Sequence, residues 1–183
     1  MGGLSSTVLS KADRRVVYLM FDIPEVLLLA SYMIMATHPD KKVMLYGEDK
    51  FDAQSLRDYD VILMPNFMLN ELADASIDLF FNSNSFAEMD RGTAEEYLHQ
   101  IERTGRRYFL HVNHNVRLRW ESDGKQVTNM LGEEIVPFLS EFEMLYKRPR
   151  VFGRLEDDVF YLRGHGRHFA YLYERKQIAV RPE

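Results

Sequence analysis

An acidic residue that ends an apolar stretch is the feature with the clearest chemistry in this sequence. Asp22 follows the apolar run 16–21, which has the length and composition of a buried strand. A carboxylate at the carboxyl end of a parallel strand is where many α/β proteins bind the ribose hydroxyls of a nucleotide. Gly2 and Gly3 stand nineteen residues upstream of Asp22 and could open a helix whose N-terminus faces an anionic group. The pattern therefore predicts a nucleotide-binding α/β protein.

Each of these residues also has a purely structural interpretation. Asp22 and Glu25 have the spacing of a capping box, so Asp22 could be the N-cap of the following helix. Gly2 and Gly3 could be a start-site remnant, because the strand that normally precedes such glycines is absent from the sequence. We therefore expect a sheet whose first strand is missing. The two strands beside the gap would then pair with each other, or another chain would fill the gap and form a homodimer.

Composition narrows the class of protein. The chain has 183 residues, of which 46% are hydrophobic, enough for one domain with a proper core. The net charge of −5 argues against bulk nucleic-acid binding, which needs a positive surface. There are no cysteines and no apolar run long enough to cross a membrane, which favours a cytoplasmic protein. We do not expect a metal site.

Buried strands alternate with helices over the first 115 residues. The hydrophobic pattern predicts strands at 16–21, 43–46, 59–65, 77–82 and 108–112. It predicts helices after Gly3, from Asp22 to about Thr37, and from Met89 to Arg103 with a capping box at Thr93 and Glu96. This order indicates a parallel sheet with right-handed crossovers.

The last two predicted strands, 142–146 and 168–173, read as an antiparallel pair that closes one edge of the sheet. A class I methyltransferase sheet has such an antiparallel edge, whereas a nicotinamide-dependent oxidoreductase would need a parallel final strand. The prediction is thus a single α/β domain over residues 1–183. Its Rossmann-like sheet would be mostly parallel, with an antiparallel C-terminal edge and no first strand.

The middle of the chain resembles the sugar O-methyltransferase family. Residues 78–89 match that family's phrase Asp-Leu-x-x-Asn-x-x-Ser-x-x-Glu-Met, and residues 59–67 and Tyr97-Leu-x-x-Ile101 are similar to its flanking segments. The resemblance covers roughly residues 2–115. The family usually has His where Asn84 stands, so the imidazole of that position is absent here.

The resemblance implies transfer of a methyl group from S-adenosylmethionine to a sugar hydroxyl. It implies that Asp22, with Ile23 beside it, binds the ribose. It also implies that Asn66 and Phe67 contact the adenine. The structural alternatives are that Asn66 forms a turn and that Phe67 is a core residue. Around the methionine moiety, the implied residues are Gly2, Gly3, Asn82 and Ser83. The implied catalytic groups are Glu88 and His111. His114 is a further titratable candidate.

The expected substrate is a small molecule, either a sugar or a sugar nucleotide, with no nucleic acid and no membrane involved. A different class of function fits the same sequence. Without the first strand, the chain could keep the methyltransferase fold as a non-catalytic fragment or a partner-binding domain.

Overall fold

The computed structural model describes residues 3–149 and 168–176. Clustering of the backbone divides the chain into two compact units, Met1–Leu72 and Ala73–Glu183, each described here by itself. No helix among the described residues is long and apolar enough to span a bilayer. The prediction of a single domain over residues 1–183 stays a prediction.

The first unit contains a three-stranded parallel sheet. Its strands are β1 (Tyr18–Asp22), β2 (Val43–Leu45) and β3 (Val61–Pro65), in the spatial order β1-β3-β2. Every residue of β3 is buried, as expected for a central strand that is covered on both faces. Asp22 lies opposite Pro65, so the carboxyl ends of β1 and β3 meet at the same edge of the sheet.

The first unit also contains three helices and a 3₁₀ turn. These are α1 (Gly3–Lys11), α2 (Pro24–Thr37), α3 (Ser55–Asp58) and the 3₁₀ turn Asn66–Glu71. The apolar side chains of Leu27, Ala30 and Ile34 on α2 pack with Val61 and Leu63 of β3. The helix predicted to end near Thr37 is confirmed.

The capping box predicted at Asp22 is wrong. The N-cap of α2 is Ile23, without a side-chain cap. Asp22 is the last residue of β1, and its Oδ1 accepts a hydrogen bond from the N–H of Ile23 at 2.8 Å. Pro24 explains the later start, since its fixed φ suits the first helical turn and it has no N–H to be capped.

The second unit contains a mixed sheet and a separate hairpin. Its strands are β4 (Ile77–Ser83), β5 (Gly105–His114), β6 (Arg119–Ser122), β7 (Lys125–Thr128), β8 (Phe142–Pro149) and β9 (His168–Arg175). The main sheet has the order β4-β5-β9-β8, with β4 and β5 parallel and β9 antiparallel to both of its neighbours. This confirms the predicted antiparallel edge and excludes the parallel final strand that the oxidoreductase alternative needs.

The helix of the second unit, α4 (Arg91–Thr104), buries Leu98 and Ile101 against Phe109 of β5. Its N-cap is Asp90, whose carboxylate accepts hydrogen bonds from the backbone N–H (3.1 Å) and the hydroxyl (2.6 Å) of Thr93. The capping box predicted at Thr93 and Glu96 is therefore wrong, because an acidic residue three positions earlier caps the helix instead.

The hairpin β6–β7 turns at Asp123 and Gly124, both with positive φ (51° and 71°). Two successive left-handed residues make the tight turn that matches the twist of paired strands, as the Asp-Gly pair predicts. Two 3₁₀ turns, Gly132–Glu134 and Val136–Phe138, lie between the hairpin and β8 in the chain.

β1 and β4 lie at the edges of their own sheets. Among the described residues, β1 pairs only with β3 and β4 pairs only with β5. The predicted direct pairing of the two strands beside the gap is therefore not observed. The homodimer that would fill the gap stays a prediction.

Candidate functional site

The carboxyl edge of the first unit's sheet carries the predicted ribose-binding acid. Asp22 is partly exposed, and of the described residues only Ile23 donates a hydrogen bond to its carboxylate. The other carboxylate oxygen, Oδ2, is thus available to a ligand. Because Asp22 lies opposite Pro65, Asn66 follows the neighbouring strand at the same edge. The strand pairing therefore brings Asp22 and Asn66 together.

The adenine-binding candidates Asn66 and Phe67 begin the 3₁₀ turn after β3. The side-chain oxygen of Asn66 accepts a hydrogen bond from the N–H of Phe67 (3.1 Å). The amide nitrogen Nδ2 of Asn66 is therefore available to donate to a ligand. The ring of Phe67 packs edge-on against Tyr46, with 5.6 Å between the ring centroids. Phe67 is 57% exposed and Tyr46 is 54% exposed. Phe67 is thus not a core residue.

Sequence reasoning missed Tyr46. It directly follows β2, so the parallel arrangement puts it at the same edge of the sheet as Asn66. The sequence feature that could have indicated Tyr46 is its position as an aromatic residue between a short strand and Gly47. Gly47 has a φ of +87°, so the chain turns there and the strand ends. Together Tyr46 and Phe67 present aromatic surface on which a planar ring could pack.

The remaining candidates of the first unit are Ile23 and the two glycines. Ile23 is 49% exposed at the start of α2. Gly3 is the first residue of α1, in agreement with the predicted helix. Gly2 lies outside the described residues.

In the second unit, Asn82 and Ser83 end β4. The amide of Asn82 donates to the hydroxyl of Ser85, and its oxygen accepts from Nδ2 of the buried Asn113 at 3.0 Å. Ser83 is exposed. Asn82 therefore has a structural role at the strand end, while the hydroxyl of Ser83 is open to a ligand.

Glu88 and His114 form an electrostatic pair in the second unit. Glu88 is exposed in the loop before α4, and His114 ends β5. Partial burial lowers the pKa of His114 below its usual value, and the Glu88 carboxylate opposes that shift. Nδ1 of His114 accepts a hydrogen bond from the N–H of Val116 (3.2 Å), so the neutral ring carries its proton on Nε2.

Two buried asparagines hold the loop that carries Glu88. The N–H of Ala87 donates to Oδ1 of Asn113 (3.3 Å), and the carbonyl of Ala87 accepts from Nδ2 of Asn129 (3.0 Å). Both asparagines are fully buried. The backbone immediately before Glu88 is thereby bonded on both sides, which sets the position of the carboxylate.

His111, the other predicted catalytic residue, lies in the core. It is fully buried and stacks on Tyr171, with 4.5 Å between the ring centroids. Burial lowers the pKa of His111 to about 3, so the ring is neutral. An enclosed imidazole of this kind does not suit a residue that takes a proton from a substrate. His114, on the same strand, is better placed.

No protein-family model matches the sequence, and a search of curated proteins finds no match. Several solved structures are similar. An S-adenosylmethionine-dependent methyltransferase from Methanosarcina mazei has a TM-score of 0.57 and 11% identity, over 94% of this chain and 84% of that one. The 1,6-didemethyltoxoflavin-N1-methyltransferase from Burkholderia thailandensis, solved with S-adenosylhomocysteine, has a TM-score of 0.50 and 10% identity, over 96% and 78%. The chain has the class I methyltransferase fold.

The methyltransferase fold does not by itself identify a reaction. The [4+2]-cyclase SpnF is also similar, with a TM-score of 0.58 and 14% identity over 97% of this chain and 72% of that one. One fold thus carries different chemistries, and the reaction depends on the residues of the site.

The departure at Asn84 from the sugar O-methyltransferase phrase has a backbone explanation. Asn84 has a φ of +64°, in the left-handed region, and its N–H donates to the carbonyl of Val112 at 2.9 Å. Asn adopts this conformation more readily than most residues with a side chain. The position therefore serves a turn of the methyltransferase fold, and no imidazole is needed to form it.

Proposed function

We propose that this protein transfers a methyl group from S-adenosylmethionine to a hydroxyl group of a sugar or sugar nucleotide. The observation that carries the proposal is Asp22, a carboxylate with an available Oδ2 at the carboxyl end of a parallel strand in the methyltransferase fold. A carboxylate suits a ribose because it offers acceptor oxygens to two neighbouring hydroxyls.

The first unit would bind the nucleoside part of the cofactor. Asp22 would accept hydrogen bonds from the ribose hydroxyls, with Ile23 beside it. The rings of Phe67 and Tyr46 would pack on the adenine, and Nδ2 of Asn66 would donate to an acceptor on the adenine edge. Gly2 and Gly3 would let the start of α1 approach the methionine carboxylate.

In the second unit, the resemblance implies Asn82 and Ser83 as contacts of the methionine part and Glu88 as a catalytic group. The Ser83 hydroxyl is the available donor at the end of β4, and Asn82 supports it through the Ser85 and Asn113 contacts. Once bound, the cofactor would supply an electrophilic methyl group on a positively charged sulfur. The Glu88–His114 pair would take the proton that the sugar hydroxyl loses as its oxygen bonds to the methyl carbon.

Three observations support a small-molecule acceptor, and the first of them favours a sugar. The residue 78–89 phrase resembles that of sugar O-methyltransferases. The net charge of −5 does not favour a nucleic acid as the acceptor. The toxoflavin-precursor methyltransferase of the same fold is named for a small-molecule substrate.

Calorimetric titration with S-adenosylmethionine and S-adenosylhomocysteine tests the proposal. We expect binding by the unmodified protein and a loss of at least about tenfold in affinity for Asp22→Ala. The expectation follows because hydrogen bonds to a charged group contribute about 1.5–3 kcal/mol each. Asp13→Asn is the matched control, since Asp13 is an exposed acid of the same unit with no hydrogen bond among the described residues.

The result that would overturn the proposal is a folded protein that binds neither ligand at millimolar concentration. That outcome would favour the non-catalytic, partner-binding alternative. Where binding is observed, transfer of a labelled methyl group to a panel of sugars and sugar nucleotides would identify the acceptor class.

A further inference from the structure

Helix α2 is apolar on the face that points away from the core. It has fourteen residues, and its only charged side chain is Glu25, in the first turn. The inner face consists of Leu27, Ala30, Ser31 and Ile34, which are all buried. A surface helix of a globular protein normally carries charged and polar residues on the side opposite such a face. Here that side carries leucine, tyrosine, methionine and alanine, and its one charged residue is Glu25 at the N-terminal end.

The exposed residues form one continuous stripe. At about 100° per residue, the inner residues cluster near one side of the helix axis, and Leu28, Leu29, Tyr32 and Ala36 cluster on the other. The largest exposed fractions are 72% for Leu28 and 70% for Tyr32. The other large members of the stripe are Leu29 (53%), Met33 (46%) and Met35 (44%).

The area of this stripe matches the requirement of a small specific interface. With roughly 180 Å² for a fully exposed side chain of this size, the five large residues expose about 500 Å². Two copies of the stripe would bury about 1,000 Å², the area that a biological interface should reach. Isolated exposed apolar residues need no explanation, but a contiguous patch of this size indicates a binding surface.

The stripe is suited to a second copy of itself. A two-fold axis brings the same patch of both copies together, and this patch has no charge except that of Glu25 at its N-terminal end. In an antiparallel arrangement centred on Tyr32, the two Glu25 side chains would stand about 20 Å apart at a rise of 1.5 Å per residue. A lipid surface is a poorer occupant, because helices that lie on membranes carry lysine and arginine beside the apolar face, and α2 has neither.

We propose that this protein forms a homodimer in which the two α2 helices pack antiparallel across a two-fold axis near Tyr32. This inference is independent of the proposed methyl transfer and concerns a different surface from the sheet edges. The dimer does not require a cofactor or a donated strand.

Sedimentation velocity of the unliganded protein at about 100 µM tests the dimer. We expect a mass near twice 21.6 kDa for the unmodified chain and near 21.6 kDa for Tyr32→Glu. Tyr32→Glu acts twice in a symmetric contact, because it removes two aromatic rings and opposes two carboxylates. Leu118→Glu is the control, since Leu118 is 41% exposed in the second unit and its replacement leaves the stripe intact. Circular dichroism confirms that each variant is folded.

A second test uses the absence of cysteine from the sequence. Tyr32→Cys introduces a single thiol next to the proposed axis, so a short bismaleimide should link it to its symmetry mate in most molecules. Leu118→Cys should remain unlinked. A monomeric unmodified chain at 100 µM would overturn the proposal, and so would a dimer that persists in Tyr32→Glu. Monomers that co-sediment with anionic vesicles would assign the stripe to a membrane instead.

Discussion

The buried amide of Asn129 should be worth more to the stability of the second unit than any exposed polar side chain near it. Its Nδ2 donates to the carbonyls of Ala87 (3.0 Å) and Val116 (2.8 Å), and its Oδ1 accepts from the N–H of Leu118 (2.7 Å). Asn129 itself is fully buried. Asn129→Ala removes all three partners at once and leaves three backbone groups without a side-chain bond.

The loss of free energy of unfolding depends on whether water can replace each hydrogen bond that the Asn129 side chain makes. The Ala87 carbonyl is buried, so leaving it unsatisfied costs about 1–3 kcal/mol. The Val116 and Leu118 groups are partly accessible, and about 0.5–1 kcal/mol each is a reasonable cost for an exchanged bond. Asn129→Ala should therefore lower the free energy of unfolding by about 3 kcal/mol. For a chain of this length, that corresponds to a fall in Tm of roughly 6–12 °C.

Urea unfolding followed by two signals would measure this effect. Far-ultraviolet circular dichroism reports the whole chain, and the fluorescence of Trp120, the only tryptophan, reports the β6–β7 hairpin beside Asn129. Gln126→Ala, on the same hairpin and exposed, is the control and should change the free energy of unfolding by no more than about 0.5 kcal/mol. An Asn129→Ala variant that is also within about 0.5 kcal/mol of the unmodified chain would refute the reasoning.

Three further predictions concern the histidines of β5 and the Glu88 carboxylate. The folded-state pKa of His111 is about 3, below the unfolded value of about 6.5. The contribution of the neutral His111 to the free energy of unfolding is therefore complete at pH values above the unfolded pKa. It is lost as the pH falls towards 3. Between pH 7 and pH 5 the unmodified chain should lose about 2 kcal/mol more stability than His111→Phe in urea titrations, and equal losses would contradict the burial argument. In methyl-transfer assays, His114→Gln should lower kcat about a hundredfold or more with little change in the affinity for S-adenosylmethionine. Glu88→Gln should move the pH midpoint of kcat to lower values, because the carboxylate raises the pKa of His114; a midpoint that does not move would exclude that coupling.

Much of the fold could be predicted because its signals are local and periodic. The buried run of β3 and the alternation of strands with helices up to β5 are visible in the residue types alone. The Asp123–Gly124 turn is equally clear, since few other residue pairs accept two positive φ values. Helix starts were harder to predict. Pro24 and Asp90 compete with nearby capping patterns, and only the three-dimensional structure shows which residue satisfies the first N–H groups.

The candidate site could be predicted only in part, because residue type does not show burial. Asp22 and Phe67 are accessible at the sheet edge as expected. His111 and His114 are three residues apart with the same side chain, yet one is enclosed by tyrosine rings and the other is partly exposed. Strand pairing decides this difference, since it places Tyr171 directly opposite His111. In the first unit, the pairing of β2 with β3 places Tyr46 at the same sheet edge as Asn66.

The position of β9 also constrains the order in which the second unit can be assembled. β9 follows β8 in the chain but lies between β5 and β8 in the sheet. On a ribosome, β4, α4, β5 and β8 are synthesised while the strand that must join them does not yet exist. Until residues 168–175 emerge, β5 and β8 each present an unpaired edge, and the pairing of β5 with β9 must then close a loop of more than fifty residues. Completion of this sheet is thus a late event in synthesis, whereas all three strands of the first unit are present by residue 65.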